Sequence, residues 1–295
     1  EVFAHAALIK HKHFVRYYNS WVEDGHIYIQ NEFCRGGSLA MKIKELRDSV
    51  QRFTEDELRK MVVQILKGLQ YIHNKQLVHL DIKPDNILRA SEDDRTSDDD
   101  SGGHVDYKIG DLGHVAHVSK DKDSINAEEG DCRYMAPEFL QDLQIKVDYY
   151  KADIFSLGLT LFEAASLMSL PRNSYDNELL YGELKQGKLP YLPHYSLKLN
   201  RLMSSMVNPN TGERPDTSNL LADINPKCSL LNEWGGDHSG AHKAKEVTDT
   251  SEKSQTFELI KAKEKIGDLE DELRLQKEEN ELLLGFLVKL LKFRI

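Results

Sequence analysis

The residues with the clearest chemical capacity lie in the run His79-Leu80-Asp81-Ile82-Lys83-Pro84-Asp85-Asn86. Asp111-Leu112-Gly113 and then Ala136-Pro137-Glu138 follow in that order. An aspartate can take a proton from a hydroxyl, and a lysine two residues on can offset negative charge. An amide and a second carboxylate are hard oxygen donors of the kind Mg²⁺ prefers. Together these groups suit phosphoryl transfer, which needs positioning and charge neutralisation more than covalent chemistry. Taken singly, Asp81 and Asn86 fit a polar turn closed by Asx hydrogen bonds better than they fit chemistry. The ordered set is what argues for chemistry.

Such groups need elements to hold them. Before the run, Thr54 and Glu57 form a capping box. Leu58, Met61, Val62, Ile65, Leu66, Leu69 and Ile72 then recur at helical spacing, which predicts a helix over 54–75 with one core face. After it, residues 151–167 are apolar on nearly all sides, as in a helix at a domain centre. Helical patterns also occupy about 178–186, 196–207 and 215–224. Phe14–Trp21 and His26–Glu32 read as strands of a hairpin turning at Glu23-Asp24-Gly25, and Gly36-Gly37-Ser38 punctuates the chain. Two short strands, 86–88 and 107–110, flank the segment SEDDRTSDDDSGGHVD at 91–106. Seven acids and one arginine give that segment 1 − 7 = −6. It carries one apolar residue and reads as a mobile, disordered acidic insert. It lacks the Asp-x-Asp-x-Asp-Gly spacing of a calcium loop.

The 295 residues carry 39 basic and 49 acidic side chains, a net charge of −10, with 40% hydrophobic residues and a mean hydropathy of −0.54. This excludes a generally basic nucleic-acid coat. Cys34, Cys132 and Cys228 are too scattered for a disulfide framework or a zinc set. His5, His11 and His13 have no standard set of ligand partners and read as solvated or packing histidines. The longest apolar stretch, 282–288, is far short of the roughly 20 residues a membrane helix needs. Residues 229–255 read as a linker. In 256–295, apolar residues recur at heptad positions with Asn280 among them, as in an amphipathic helix or a short coiled coil offering self-association through 256–292.

The order and spacing of the chemical motifs resemble those of protein kinases over residues 1 to about 228. The resemblance implies an α+β, protein-kinase-like fold. Residues 1–35 would be a remnant of the β-rich N-terminal lobe with the hinge, and 36–228 the helical C-terminal lobe, with a helix beyond. It implies ATP and Mg²⁺ as cofactors. Asp81 would accept the hydroxyl proton, Lys83 would reach the transferred phosphate, and Asn86 and Asp111 would hold the metal. Glu138 would pair with Arg214, Asp153 would hold the backbone near His79, and His79 would be a core histidine rather than a base.

The segments 1–39, HLDIKPDNI at 79–87, KIGDLGHV at 108–115 and EEGDCRYMAPE at 128–138 resemble the Wee family of cell-cycle inhibitory kinases. That family phosphorylates a tyrosine in the glycine-rich loop of cyclin-dependent kinases and is nuclear, whereas its Myt-type sister is membrane-anchored. By this resemblance Asn31 is the gatekeeper, Glu32, Phe33 and Cys34 are the hinge that meets adenine, and Glu1 is the helix glutamate that pairs with the strand lysine. Asp131 falls where serine/threonine kinases keep a threonine, while Lys83 is their own catalytic-loop residue, so the local residues conflict about the acceptor.

Because the matching begins at Glu1, the glycine-rich loop and the lysine are not among these residues. The chain reads as a fragment expected to lack activity by itself. Two other readings stay open: a non-catalytic pseudokinase-like scaffold, and a translation initiation factor kinase suggested by RYYNSW at 16–21. Leu80 and Leu112 contradict the latter, whose members keep an arginine and a phenylalanine there. Leu80 replaces the arginine that clamps a phosphorylated activation segment. Residues 114–135 should therefore need no phosphorylation. The double variant Ser119→Ala, Ser124→Ala in the full-length protein is expected to keep its turnover, and loss of turnover in a folded variant would refute this.

Overall fold

The computed structural model describes residues 11–90, 105–118, 130–140, 147–172 and 174–224. The chain divides into two units, residues 1–189 with 201–229, and residues 190–200 with 230–295. The site discussed below lies in the first. Within the second, the Asn200 side chain closes a loop by accepting from the Leu192 amide (2.9 Å) and donating to its carbonyl (3.1 Å). The architecture is α+β.

The hairpin forms where its aromatic and β-branched residues and its turn chemistry place it. Strand β1 (Tyr17–Glu23) pairs antiparallel with β2 (His26–Asn31). Asp24 and Gly25 take φ of 49° and 74°, the left-handed pair that a two-residue type I′ turn requires. Helix α1 (Leu39–Asp48) is an element the sequence analysis does not anticipate. Its signals are weak but present: the Ser38 hydroxyl caps the Met41 amide, and Leu39, Ile43 and Leu46 form a buried stripe.

Helix α2 (Glu55–His73) has both halves of its capping box. Thr54 Oγ1 accepts from the Glu57 amide, and the Glu57 carboxylate accepts from the Thr54 amide at 2.7 Å. Its apolar face, from Leu58 to Ile72, is buried as expected. Strand β3 (Leu77–Val78) leads into the motif run, and β4 (Ile87–Ala90) leads out. β4 pairs antiparallel with β5 (Asp106–Ile109), and β3 with β6 (Ala116–His117). β5 thus starts inside the stretch read as acidic insert. Asp106 opposes Ala90 in the ladder and is ion-paired with Lys12 at 3.4 Å, which is why this acid is ordered and buried. Residues 91–104 of that insert, like the proposed linker and C-terminal helix, lie outside the described residues.

Helix α3 (Tyr149–Ser166) starts on the Asp148 carboxylate, which accepts from the amides of Tyr150 and Lys151. Every residue from Ala152 to Ala165 is buried, as its uniform apolarity predicts. Helix α4 (Ser174–Lys185) is interrupted at Asn177, whose Oδ1 caps the Leu180 amide at 3.1 Å. The helix expected from 178 therefore has its own start. Helices α5 (Leu197–Met206) and α6 (Thr217–Ile224) complete the described elements. α2 packs against α6, β5 and α3. Among the described residues no helix is long and apolar enough to cross a membrane.

His11 stacks on Tyr71 with ring centroids 4.6 Å apart, and His13 is buried with Nδ1 donating to the Tyr107 carbonyl at 3.1 Å. Burial lowers the His13 pKa to about 4, against the raising influence of that carbonyl, and burial lowers that of His79 too. Between the usual histidine value and about 4 the unfolded chain binds more protons than the fold, so stability falls as pH falls through that window. Urea midpoints should drop from pH 7 to pH 5, and His13→Gln should flatten that slope. An unchanged slope in the variant would refute the assignment.

Candidate active site

A buried carboxylate builds the motif run from beneath. Asp153, fully buried on α3, accepts from the backbone amides of His79 (2.9 Å) and Leu80 (2.8 Å) and from His73 Nε2 (2.8 Å). Three donors meet one buried anion, which is what such a charge needs to be tolerated. The amides are presented because the chain turns sharply here. Leu80 takes φ of 63°, a left-handed conformation that costs a non-glycine residue on the order of 1 kcal/mol or more.

His79 fastens the run to the next motif. Its Nε2 donates to the Gly110 carbonyl at 3.1 Å, and its Nδ1 accepts from the Asp81 amide at 3.3 Å. That pair of bonds requires a neutral ring, in line with its lowered pKa. It is a core histidine, as expected. The Gly110 amide in turn donates to the Asn86 carbonyl at 2.8 Å. The ends of the two motifs are thereby stitched together one residue before Asp111.

Asp81 is buried, and its carboxylate collects donors. Oδ2 accepts from Lys83 Nζ (2.6 Å) and Asn86 Nδ2 (2.8 Å), and Oδ1 accepts from the Asp131 amide (3.1 Å). A carboxylate has about four lone-pair sites. Among the described residues three are filled, which leaves capacity on Oδ1 for a hydroxyl. The Asn86 amide nitrogen also donates to the Asp81 carbonyl at 2.9 Å. Its two acceptors orient the side chain and leave Oδ1 as the oxygen available to a cation. Asp111 is exposed, has φ of 54°, and its Oδ1 accepts from the Gly113 amide at 3.2 Å. Asn86 and Asp111 thus offer two oxygen donors from adjoining segments, the sparse protein ligation that Mg²⁺ takes alongside phosphates and water. Among the described residues there is no cluster of three or more His, Cys, Asp or Glu that fits a metal ion.

The residues expected to form the hinge are tied to the same strands. Asn31 ends β2, and its Oδ1 is buried without a hydrogen-bond partner among the described residues. The Glu32 carboxylate is gripped by Lys108 Nζ at 2.6 and 2.8 Å and by the Arg16 amide at 3.0 Å. The carboxylate is therefore part of the scaffold, as is the Glu32 amide, which donates to the Arg16 carbonyl at 2.7 Å; among the described residues the Glu32 carbonyl is what remains for ligand recognition. Cys34 is buried, and its carbonyl accepts from the Gly37 amide at 3.1 Å. The Gly37 carbonyl accepts from the Arg89 amide on β4 at 2.9 Å. Glu1 and His5 lie outside the described residues.

The third motif is held by buried polar contacts. Arg214, fully buried, makes a bidentate pair with Glu138 at 2.8 and 3.1 Å, as expected. The Tyr134 hydroxyl donates to Glu163, and Ser156 Oγ donates to the Tyr134 carbonyl at 3.0 Å. Burial pushes the pKa values of both Tyr134 and Glu163 up. Asp131 chelates Arg133 through Nε (3.0 Å) and a terminal nitrogen (2.6 Å). Burial would raise the Asp131 pKa, but these bonds and the charges of Arg133 and Lys83 hold it below its usual value. Gly130 must be a glycine: a Cβ there would stand 2.4 Å from the Leu80 carbonyl oxygen and 3.2 Å from Asp81 Oδ1.

The protein kinase domain family matches residues 1–224. The chain is 44% identical over 232 residues to Wee1-like protein kinase 1-A of Xenopus laevis, covering 75% of this chain and 38% of that protein. It is 45% identical over 233 residues to Wee1-like protein kinase 2 of Danio rerio, and 42% identical over 245 residues to Wee1-like protein kinase 2 of Homo sapiens. The chain covers 41% of each of those two, and they match 75% and 78% of it. The chain belongs to the Wee1-like protein kinase family. It spans about two fifths of the length of these curated relatives.

In this Wee1-like chain, Asp81, Lys83 and Asn86 meet directly, and Asp111 joins them through Gly110. Two contributions were missed by sequence reasoning. The Asp131 amide, not its side chain, reaches Asp81, and a backbone donor leaves no residue-type signal. The second is Lys185, which is far from every motif in sequence. Asp153→Asn removes an acceptor from beneath His79 and Leu80. It should cost about 2–4 kcal/mol in urea unfolding, as buried donors are left unpaired. A loss below about 0.5 kcal/mol would refute its scaffold role.

Proposed function

We propose that this chain is the catalytic portion of a kinase that transfers the γ-phosphate of ATP to the inhibitory tyrosine of cyclin-dependent kinases. It would act in the nucleus as a negative regulator of mitotic entry. The observation that carries this is the Asp81 carboxylate, buried, oriented by three donors and open on Oδ1, within a chain of the Wee1-like family.

Asp81 would take the acceptor hydroxyl's proton on Oδ1 as the oxygen attacks phosphorus. Lys83, now paired with Asp81, would reach toward the transferred group and offset its charge. Asn86 Oδ1 and the exposed Asp111 carboxylate would hold Mg²⁺, which supplies charge neutralisation at the phosphates when bound. Backbone at Glu32 and Cys34 would meet the adenine, with Asn31 at the back of the pocket, and Glu1 would orient the strand lysine of this family. Residues 1–35 would serve as the N-terminal lobe remnant and hinge, 36–228 as the C-terminal lobe, and 256–292 as a self-association helix. The tyrosine preference and the nuclear site come from the family resemblance, not from residues at the site.

In the full-length protein, Asp81→Asn should lower phosphorylation of a cyclin-dependent kinase by a hundredfold to ten-thousandfold, on the order expected for loss of a positioned base. ATP binding, read by thermal shift, should persist. Tyrosine-specific product, seen by phosphoamino-acid analysis, is expected. Transfer to the initiation factor alpha subunit instead would favour the alternative kinase reading. No Asp81-dependent transfer to either protein would favour the scaffold.

A further inference from the structure

Lys185 is buried at the end of α4, and its ammonium points away from solvent. Nζ donates to three backbone carbonyls: Cys132 at 2.9 Å, Arg133 at 3.1 Å and Met135 at 2.6 Å. It also lies 5.3 Å from the Tyr181 ring centroid and 5.7 Å from that of Phe155 on α3. A lysine has three N–H donors, and all three are used on one short stretch of backbone.

That stretch is the turn that touches Asp81. The Asp131 amide donates to Asp81 Oδ1, and the Asp131 carbonyl accepts from the amides of Tyr134 (3.0 Å) and Met135 (3.1 Å). The turn therefore has one edge on Asp81 and its outward carbonyls on Lys185. Any hydroxyl that approaches Asp81 Oδ1 must come in beside this turn. An apolar side chain in place of Lys185 would leave three partly buried carbonyls unpaired, and the turn would open to find water.

We propose that Lys185 is a positioning residue for the protein substrate, its ammonium setting the shape of the 131–135 turn along which the acceptor segment is laid. The proposal rests on the kinase reading above. It assigns no part in ATP binding to Lys185.

The charge matters because of the donor count. A neutral amine has two N–H groups for three carbonyls. Burial lowers the Lys185 pKa from the usual 10.5 to about 8, although Cys132, Asp131 and Glu138 in the facing segment act to raise it. Tyr181 is the titratable neighbour on its own helix, and α3 faces it with the Phe155 ring. Between about 8 and the usual value the unfolded chain holds this proton more tightly than the fold. Stability from this group therefore rises with pH in that window. A loss of activity there is not a loss of folding at this site.

The test uses the full-length protein with a cyclin-dependent kinase as acceptor. Lys185→Met is expected to raise KM for the protein acceptor, or lower kcat/KM for it, at least tenfold, with KM for ATP within twofold of wild type. Lys185→Arg, which keeps a permanent cation, should restore most of that loss at pH 7.5. Wild-type kcat/KM for the acceptor should decline as pH passes about 8, while the Lys185→Arg variant stays level to pH 9. If Lys185→Met shows no cooperative melting, the pH comparison of wild type with Lys185→Arg decides. A folded Lys185→Met with unaltered acceptor kinetics, or with equal losses for acceptor and ATP, overturns the proposal. Identical pH profiles for wild type and Lys185→Arg overturn it as well. If the wild type shows no Asp81-dependent transfer, the kinase reading fails and this role falls with it.

Discussion

The Asp153 carboxylate is the contact on which the site depends. It is a fully buried charge in the most apolar helix among the described residues, and it is tolerable only because His79, Leu80 and His73 all donate to it. The same bonds hold Leu80 in a left-handed conformation it would not otherwise keep. With Leu80 fixed, Asp81 is delivered to Lys83 and Asn86, and Gly130 can pass close to the Leu80 carbonyl. Remove the anion and the turn has no reason to persist.

Helix α3 does this work for the third motif also. Ser156 and Glu163 hold Tyr134, Phe155 stacks beneath Lys185 and Arg214, and the Lys151 carbonyl accepts from Arg214 at 2.8 Å. Buried, fully paired polar groups of this kind select one arrangement over its alternatives more than they add stability. The Wee1-like chain fixes the end of this segment with groups it always carries. A phosphate would have no arginine at position 80 to bind.

Much of this was legible in residue types. The Thr54–Glu57 box, the apolar stripe of α2, the uniform burial of α3 and the Asp24-Gly25 turn each follow from local rules acting within a few residues. The Asp81, Lys83, Asn86 grouping is nearly local too, since five residues separate its ends. Helix α1 escaped because its stripe is short and its cap lies in a glycine-rich turn. Asp106 escaped because a run of acids around it hides a single buried member paired to Lys12.

By itself the sequence determined the family, the order of the motifs, the core helices and which side chains carry oxygen, charge or a proton. Those properties belong to single residues or to periodic patterns along one element. Only the tertiary structure decided which backbone groups face them: the Asp131 amide on Asp81, the Gly110 carbonyl on His79, and three carbonyls on Lys185. Every residue but proline carries the same amide and carbonyl, so a backbone donor or acceptor has no signature in the sequence. Where it points depends on the fold alone.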